Sequence, residues 1–284
     1  GETRICIIGD SYIEALQVDF DKSVAEVLED QLDKSRTKVY RLGISGAPLS
    51  QYLYMLEKEA LLYQPDIVVL NLAHNDFDES LFGTGGSYDV GFAKFGYKES
   101  GSLGRIDPGT YERNFAWWIK RSGIYRYWRV RKEARIDNLK TIWFRVFGPP
   151  GGQQEQQYVA NIEVERSRDR KINDVIKYAF TQLASSASKN RFRPIILIDG
   201  DRSAIMSSLD TEIPSNSSAR YINDLVVTAG FEYGIEVIDL WPLFEDYHKS
   251  TGMGLTFDHD GHWPQHVHKL VGITLAAYLR ETTH

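Results

Sequence analysis

Four short segments of this chain carry residue types suited to acyl chemistry. Ser11, in Gly9-Asp10-Ser11, is a candidate nucleophile. Asp260-Gly261-His262 sets an acid and an imidazole two positions apart. Gly46 ends a tight Gly43-Ile-Ser-Gly46 loop and offers a backbone N–H; Asn75, in Ala73-His-Asn-Asp76, offers a side-chain amide. A serine hydroxyl is a weak nucleophile at neutral pH. It needs a base within hydrogen-bond reach, and the base needs an orienting partner. His262 can take the proton, and Asp260 can hold the ring in the right tautomer. The tetrahedral intermediate then carries an oxyanion. The N–H groups of Ser11 and Gly46 and the amide of Asn75 would stabilise it, each donor contributing roughly 3 kcal/mol. The plainer reading of Ser11 is a helix N-cap.

Such residues need elements to present them. Ile5-Cys-Ile-Ile8 is a buried-strand pattern that stops at Gly9-Asp10. Tyr12 to Asp33 has helical spacing, with Val18, Val24, Val27, Leu28 and Leu32 on one face. Further strands are predicted over 37–44, 65–72, 193–199 and 234–240. Helices are predicted over 49–63, 158–189, 215–230 and 264–280, the last with Pro264 near its first turn. This alternation predicts a doubly wound sheet, whose sites lie at the carboxyl ends of strands, where Ser11 falls.

The alternation breaks between 80 and 165. Residues 80–110 read as a long Gly-, Ser- and Asp-rich loop. Residues 111–147 interleave Trp117, Trp118, Trp128 and Trp143 with arginines and lysines, and Pro149-Pro-Gly-Gly152 is a turn. The expectation is one domain over 1–284 with a mainly helical insertion at 80–165, placed as a lid over the carboxyl edge of the sheet. Three readings of the Trp/Arg-rich stretch stay open. It packs on the core with its charges in water, it offers aromatic and cationic platforms to an anionic sugar polymer, or it contacts a membrane surface.

Composition narrows the classes. The 284 residues fit one large α/β domain. A net charge of -6 argues against non-specific nucleic-acid binding. The single cysteine, Cys6, lies in the first strand, excludes an intramolecular disulfide and reads as buried packing. No apolar run is long enough to span a bilayer. The first strand is expected to begin within a few residues of Gly1, so no signal peptide is expected ahead of it.

The four segments, in this order along the chain, resemble the SGNH (GDSL-like) hydrolase superfamily. Gly9-Asp-Ser-Tyr-Ile-Glu-Ala15, Gly43-Ile-Ser-Gly46, Ala73-His-Asn-Asp76 and Asp260-Gly-His262 match its blocks. The resemblance covers the core and not the insertion. It implies a flavodoxin-like three-layer α/β/α sandwich with a parallel sheet and ester hydrolysis or acyl transfer without a metal or cofactor. It also implies Ser11, Gly46 and Asn75 at the oxyanion site. Two departures stand out. The third block usually reads Gly-x-Asn-Asp, whereas Ala73 and His74 stand here. The last is usually Asp-x-x-His; the shorter Asp260-x-His262, followed by Trp263, resembles the SGNH-like domains of alginate and related polysaccharide O-acetyltransferases. Asp258 is the alternative acid. His74 and Trp263 are expected to touch substrate, with a structural role for His74 also open.

Other readings compete for the same residues. His259, His262, His266 and His268 crowd one segment with two aspartates, but no His-Glu-x-x-His pattern is present and no metal is expected. His266 and His268 read as ordinary helix residues. Asp199-Gly-Asp201 reads as a turn with two solvated carboxylates. The lipase-type Gly-x-Ser-x-Gly elbow is absent, as are phosphate-loop and dinucleotide fingerprints. The expected activity is serine-dependent hydrolysis of an O-acyl group, O-acetyl by the family analogy, on a carbohydrate or polysaccharide. The alternatives are polysaccharide O-acetyl transfer, a lipid or lysophospholipid esterase, and a carbohydrate-binding module without catalysis. A periplasmic or extracellular setting would suit a polysaccharide substrate.

Overall fold

The computed structural model describes residues 2–83, 91–109, 122, 154–207, 218–258 and 260–282, with backbone only for 154–167. The chain divides into two compact units, Gly1–Pro108 with Arg170–His284, and Gly109–Asp169. The tryptophan-rich stretch at 111–147 lies outside the described residues except for Ser122. Residues 80–108 belong to the first unit.

Five strands build the main sheet: β1 (Thr3–Gly9), β2 (Thr37–Gly43), β3 (Ile67–Leu72), β6 (Arg193–Ile198) and β7 (Glu236–Asp239). Their order is β2-β1-β3-β6-β7 and every pairing is parallel. This is the flavodoxin-like order, with the chain reversing direction across the sheet between β1 and β3. Between β3 and β6 a short antiparallel hairpin, β4 (Lys94–Tyr97) with β5 (Leu103–Ile106), replaces part of the loop expected at 80–110. Phe95, Leu103 and Leu81 are buried there, because the apolar residues of this stretch reach the core beside the third helix.

Strand residues alternate between two cores, as period-2 geometry requires. On one face Cys6, Ile8, Val68, Leu70, Ile196 and Ile198 meet the helices α3 (Leu49–Lys58), α5 (Gln154–Asn190) and α7 (Ser218–Tyr233). On the other Ile5, Ile7, Ile67, Val69, Ile195 and Leu197 meet α2 (Val24–Gln31), α8 (Leu240–Thr251) and α9 (Gln265–Thr282). The result is a three-layer α/β/α sandwich. Cys6 is wholly buried and burial pushes its thiol up to about 12, which makes it a packing residue.

One expected helix is absent. The spacing over 12–33 predicts a single helix, but α1 spans only Ser11–Glu14 and ends at Ala15 in the left-handed region (φ 55°). A 3₁₀ turn at Phe20–Lys22 follows, and then α2. The break has a tertiary cause. Glu14 turns across to the 43–47 loop, where its carboxylate accepts the Ser45 N–H at 2.7 Å and the Ser45 hydroxyl. The remaining small helices are α4 (Asn75–Glu79) and α6 (Arg202–Ser207).

Candidate active site

Four loops at the carboxyl edge of the sheet form the site. Ser11 follows β1 directly. The N-cap is Asp10, whose carboxylate accepts the Tyr12 N–H at 3.0 Å, so the capping role falls one residue earlier than the plainer reading of Ser11. Ser11 Oγ is instead 2.7 Å from His262 Nε2. On the other side of the ring, Nδ1 meets the Asp260 carboxylate. The same carboxylate oxygen accepts the His262 backbone N–H at 3.1 Å. The two-residue spacing makes this possible: one oxygen closes a turn on the backbone and grips the ring. A carboxylate only accepts, so Nδ1 is assigned the proton and Nε2 is left to receive that of Ser11. The bond to the His262 ring, with the backbone bond, holds the Asp260 carboxyl below the usual carboxylate range. Asp258 is exposed, and Asp260 is the acid the structure places on Nδ1.

The candidate oxyanion donors come from two neighbouring loops. Gly46 has φ 73°, a conformation that favours glycine. Gly43 lies against the Ser11 turn so closely that a Cβ there would meet Glu14 N at 2.1 Å. The 43–47 loop is thus clamped on the Ser11 turn by contact at one end and by Glu14 at Ser45. Asn75 opens α4 at the end of β3 with its side chain exposed.

His74 is held from behind. Its Nε2 is 2.8 Å from Asn223 Oδ1, and Asn223 Nδ2 donates to Asp239 at 2.8 Å. Asp239 also accepts the Trp241 N–H at 2.9 Å. The Asp239 carboxylate only accepts, so it fixes the amide orientation and assigns the proton on His74 to Nε2. This ring therefore has a structural anchor, and Nδ1 carries its remaining lone pair.

Trp263 departs from its expected role. It is 0% exposed, packed between Tyr12 (5.0 Å), His268 (5.5 Å) and Phe244 (6.0 Å). An indole with no accessible surface cannot touch substrate; it is a wedge under the His262 loop. Asp199 also departs from the solvated turn. It is buried and pairs with Arg202 at 3.1 Å, their side chains 3% and 11% exposed, while Asp201 caps α6 through the Ala204 N–H. Burial raises the Asp199 carboxyl despite the Arg202 charge. The i,i+3 spacing of Asp199 and Arg202 after a strand was the available signal. His268 is buried beside Trp263, and burial pushes it down to about 4. His266 Nε2 is bound to the Gly254 carbonyl at 2.7 Å.

Among the described residues no group of three or more His, Cys, Asp or Glu side chains could hold a metal ion; His259 lies outside them. A cavity of about 510 Å³ opens elsewhere, between Leu53, Leu56, Phe95, Arg105 and Tyr178, and no member of the Ser11 site lines it.

No protein-family model and no curated protein matches the chain in sequence. In structure it is similar to the acetyl xylan esterase AlAXEase, with a TM-score of 0.51 and 14% identity over 97% of this chain and 99% of that one. It is equally similar to LAE5, an alpha/beta hydrolase enzyme from the metagenome of Lake Arreo, Spain, with a TM-score of 0.51 and 11% identity over 97% and 94%. The likeness is one of fold.

Proposed function

We propose that this protein is a serine esterase that removes O-acyl groups, chiefly O-acetyl, from a carbohydrate. The observation that carries this reading is Ser11 Oγ at 2.7 Å from a His262 ring whose other nitrogen is held by Asp260. In the reaction His262 Nε2 takes the Ser11 proton as Oγ attacks the ester carbonyl. The N–H groups of Ser11 and Gly46 and the Asn75 amide receive the oxyanion. The tetrahedral intermediate collapses with loss of the alcohol, which leaves with the proton from His262. Water, activated by the same ring, then releases the acid and restores Ser11. In this reading His74, anchored through Nε2 on Asn223, meets the alcohol portion of the substrate through Nδ1.

The carbohydrate part rests on two supports: the four SGNH-like blocks, and a fold similar to that of an acetyl xylan esterase. A second reading, transfer of the acyl group to a sugar hydroxyl, follows from the Asp260-x-His262 spacing. It differs only in which hydroxyl enters the second half-reaction.

The test is acetate release from 4-nitrophenyl acetate and from an acetylated xylo-oligosaccharide, with wild type, Ser11→Ala and His262→Ala. Both variants are expected to lose turnover by about 10⁴-fold or more. Turnover retained in Ser11→Ala sinks the assignment of the nucleophile. Acetylated oligosaccharide found by mass when an unacetylated acceptor is supplied moves the reading to transfer.

A further inference from the structure

Tyr12 joins the nucleophile turn to the loop that carries the base. It follows Ser11 directly, and its hydroxyl donates to the Gly261 carbonyl at 3.3 Å. Gly261 is the residue between Asp260 and His262. The same hydroxyl accepts from Arg202. These directions are unambiguous, because a carbonyl only accepts and a guanidinium only donates. The Tyr12 ring packs on the imidazole of His262 at 5.3 Å and on Trp263 at 5.0 Å. The Arg202 cation lies 4.7 Å from the centre of the ring and is itself held by buried Asp199. Burial pushes the Tyr12 phenol up to about 12, so it keeps its proton as a donor at neutral pH.

From this geometry we infer that Tyr12, locked by Arg202 and Asp199, is a positioning residue that sets the separation of His262 from Ser11. Nothing else described at the site bonds the peptide between acid and base to the turn that bears the nucleophile. The phenol meets that peptide at the Gly261 carbonyl, and the Arg202–Asp199 pair at the end of β6 stops the phenol from swinging away. The base loop is thereby referenced to two strands, β1 and β6. A rotation of the 260–262 peptide would carry the imidazole off the Ser11 hydroxyl, and near-attack geometry is sensitive to displacements of about 1 Å. The inference rests on the serine-esterase reading for its kinetic consequence and not for its geometry.

Tyr12→Phe is the variant to make. It keeps the ring, its tilted contacts with His262 and Trp263 and the cation over the ring, and removes only the hydroxyl. Removing Arg202 or Asp199 instead would strand a buried charge and unsettle the fold. Three quantities are read on wild type and Tyr12→Phe: kcat and KM for 4-nitrophenyl acetate, the melting temperature, and the exchange broadening of the His262 Nδ1 proton by NMR. The expected result is a kcat lower by roughly tenfold, KM within about twofold, a melting temperature nearly unchanged, and a broader Nδ1 proton signal. Unchanged kcat with an unchanged Nδ1 signal overturns the inference. A loss of rate that only follows a lower melting temperature overturns it too, since that is a folding effect. Wild type without turnover would defeat the esterase reading alone; the Nδ1 proton would then decide the positioning role.

Discussion

The two halves of the proposed catalytic constellation are built in opposite ways. Ser11 hangs from β1, whose Ile5 to Ile8 are buried to within 1% and paired on both sides by parallel strands. The base loop does not follow a strand directly. It is shaped by Asp260 turning back on its own backbone, by a bridge between Phe257 and Asp260, and by Trp263 wedged beneath. The carboxylates follow the same division. Asp10, beneath the nucleophile turn, is buried, and burial pushes it up to about 6; Asp260, whose side chain is 42% exposed, is held low by its bond to His262. A sheet positions a residue through the whole core, whereas a loop positions it through a few local bonds. Damage to the packing behind Ser11 should therefore cost stability, and damage to the bonds within the base loop should cost rate.

The sharpest cut is at the acid. Asp260→Asn supplies a donor where Nδ1 needs an acceptor, and kcat should fall by about 10²–10⁴-fold with little change in melting temperature. Asp258→Asn, two residues away, should leave kcat within about twofold; a large loss there would move the acid. Asn75→Ala comes next, with kcat lower by about 10²–10³-fold and the fold intact. A loss confined to KM would remove Asn75 from the oxyanion site. On the sheet side the sign of the effect changes. Gly43→Ala drives a methyl group against the Glu14 backbone and should cost about 1–3 kcal/mol of stability, read as a lower denaturant midpoint.

A pH dependence of comparable size is expected at Asp10. Asp10 has a folded pKa above its unfolded value, so its contribution is fully present below about 4 and is lost as pH rises through about 6. Asp10→Asn keeps a capping side chain and cannot ionise. Its stability relative to wild type should rise between about pH 4 and 6 and level off above, by at most about 3 kcal/mol. A flat difference across that window would mean that Asp10 is ionised at no cost. Asp260 has the opposite sign. Its bond to His262 persists as pH falls through the ordinary carboxylate range and is lost only in more acid solution.

What the sequence disclosed divides along the same line. The strands were legible because their apolar runs are buried on both faces, and the sheet's parallel order follows from their alternation with helices. The helix expected over 12–33 was not legible as two pieces, because its break depends on Glu14 reaching Ser45, 31 residues away. The loop expected over 80–110 hid a hairpin for a similar reason: Phe95 and Leu103 are buried only once α3 is beside them. At the site, Ser11, Asp260 and His262 could be named because chemistry demands their types. Trp263 was misplaced because an indole's type does not say whether it faces a substrate or a core. Asp199 was misread because its partner and its burial are both tertiary. The role of Tyr12 is not legible in its motif, since Arg202 lies 190 residues away.

The Asp260-Gly261-His262 spacing has a mechanical corollary. Acid and base share one short arc of backbone and one bridging oxygen, so they move as a single rigid lever. Breathing of the loop leaves the proton on the correct ring nitrogen and alters a single coordinate, the gap to Ser11. A site with its acid on a distant strand must hold two gaps constant at once. Here alignment can be lost or regained along one direction.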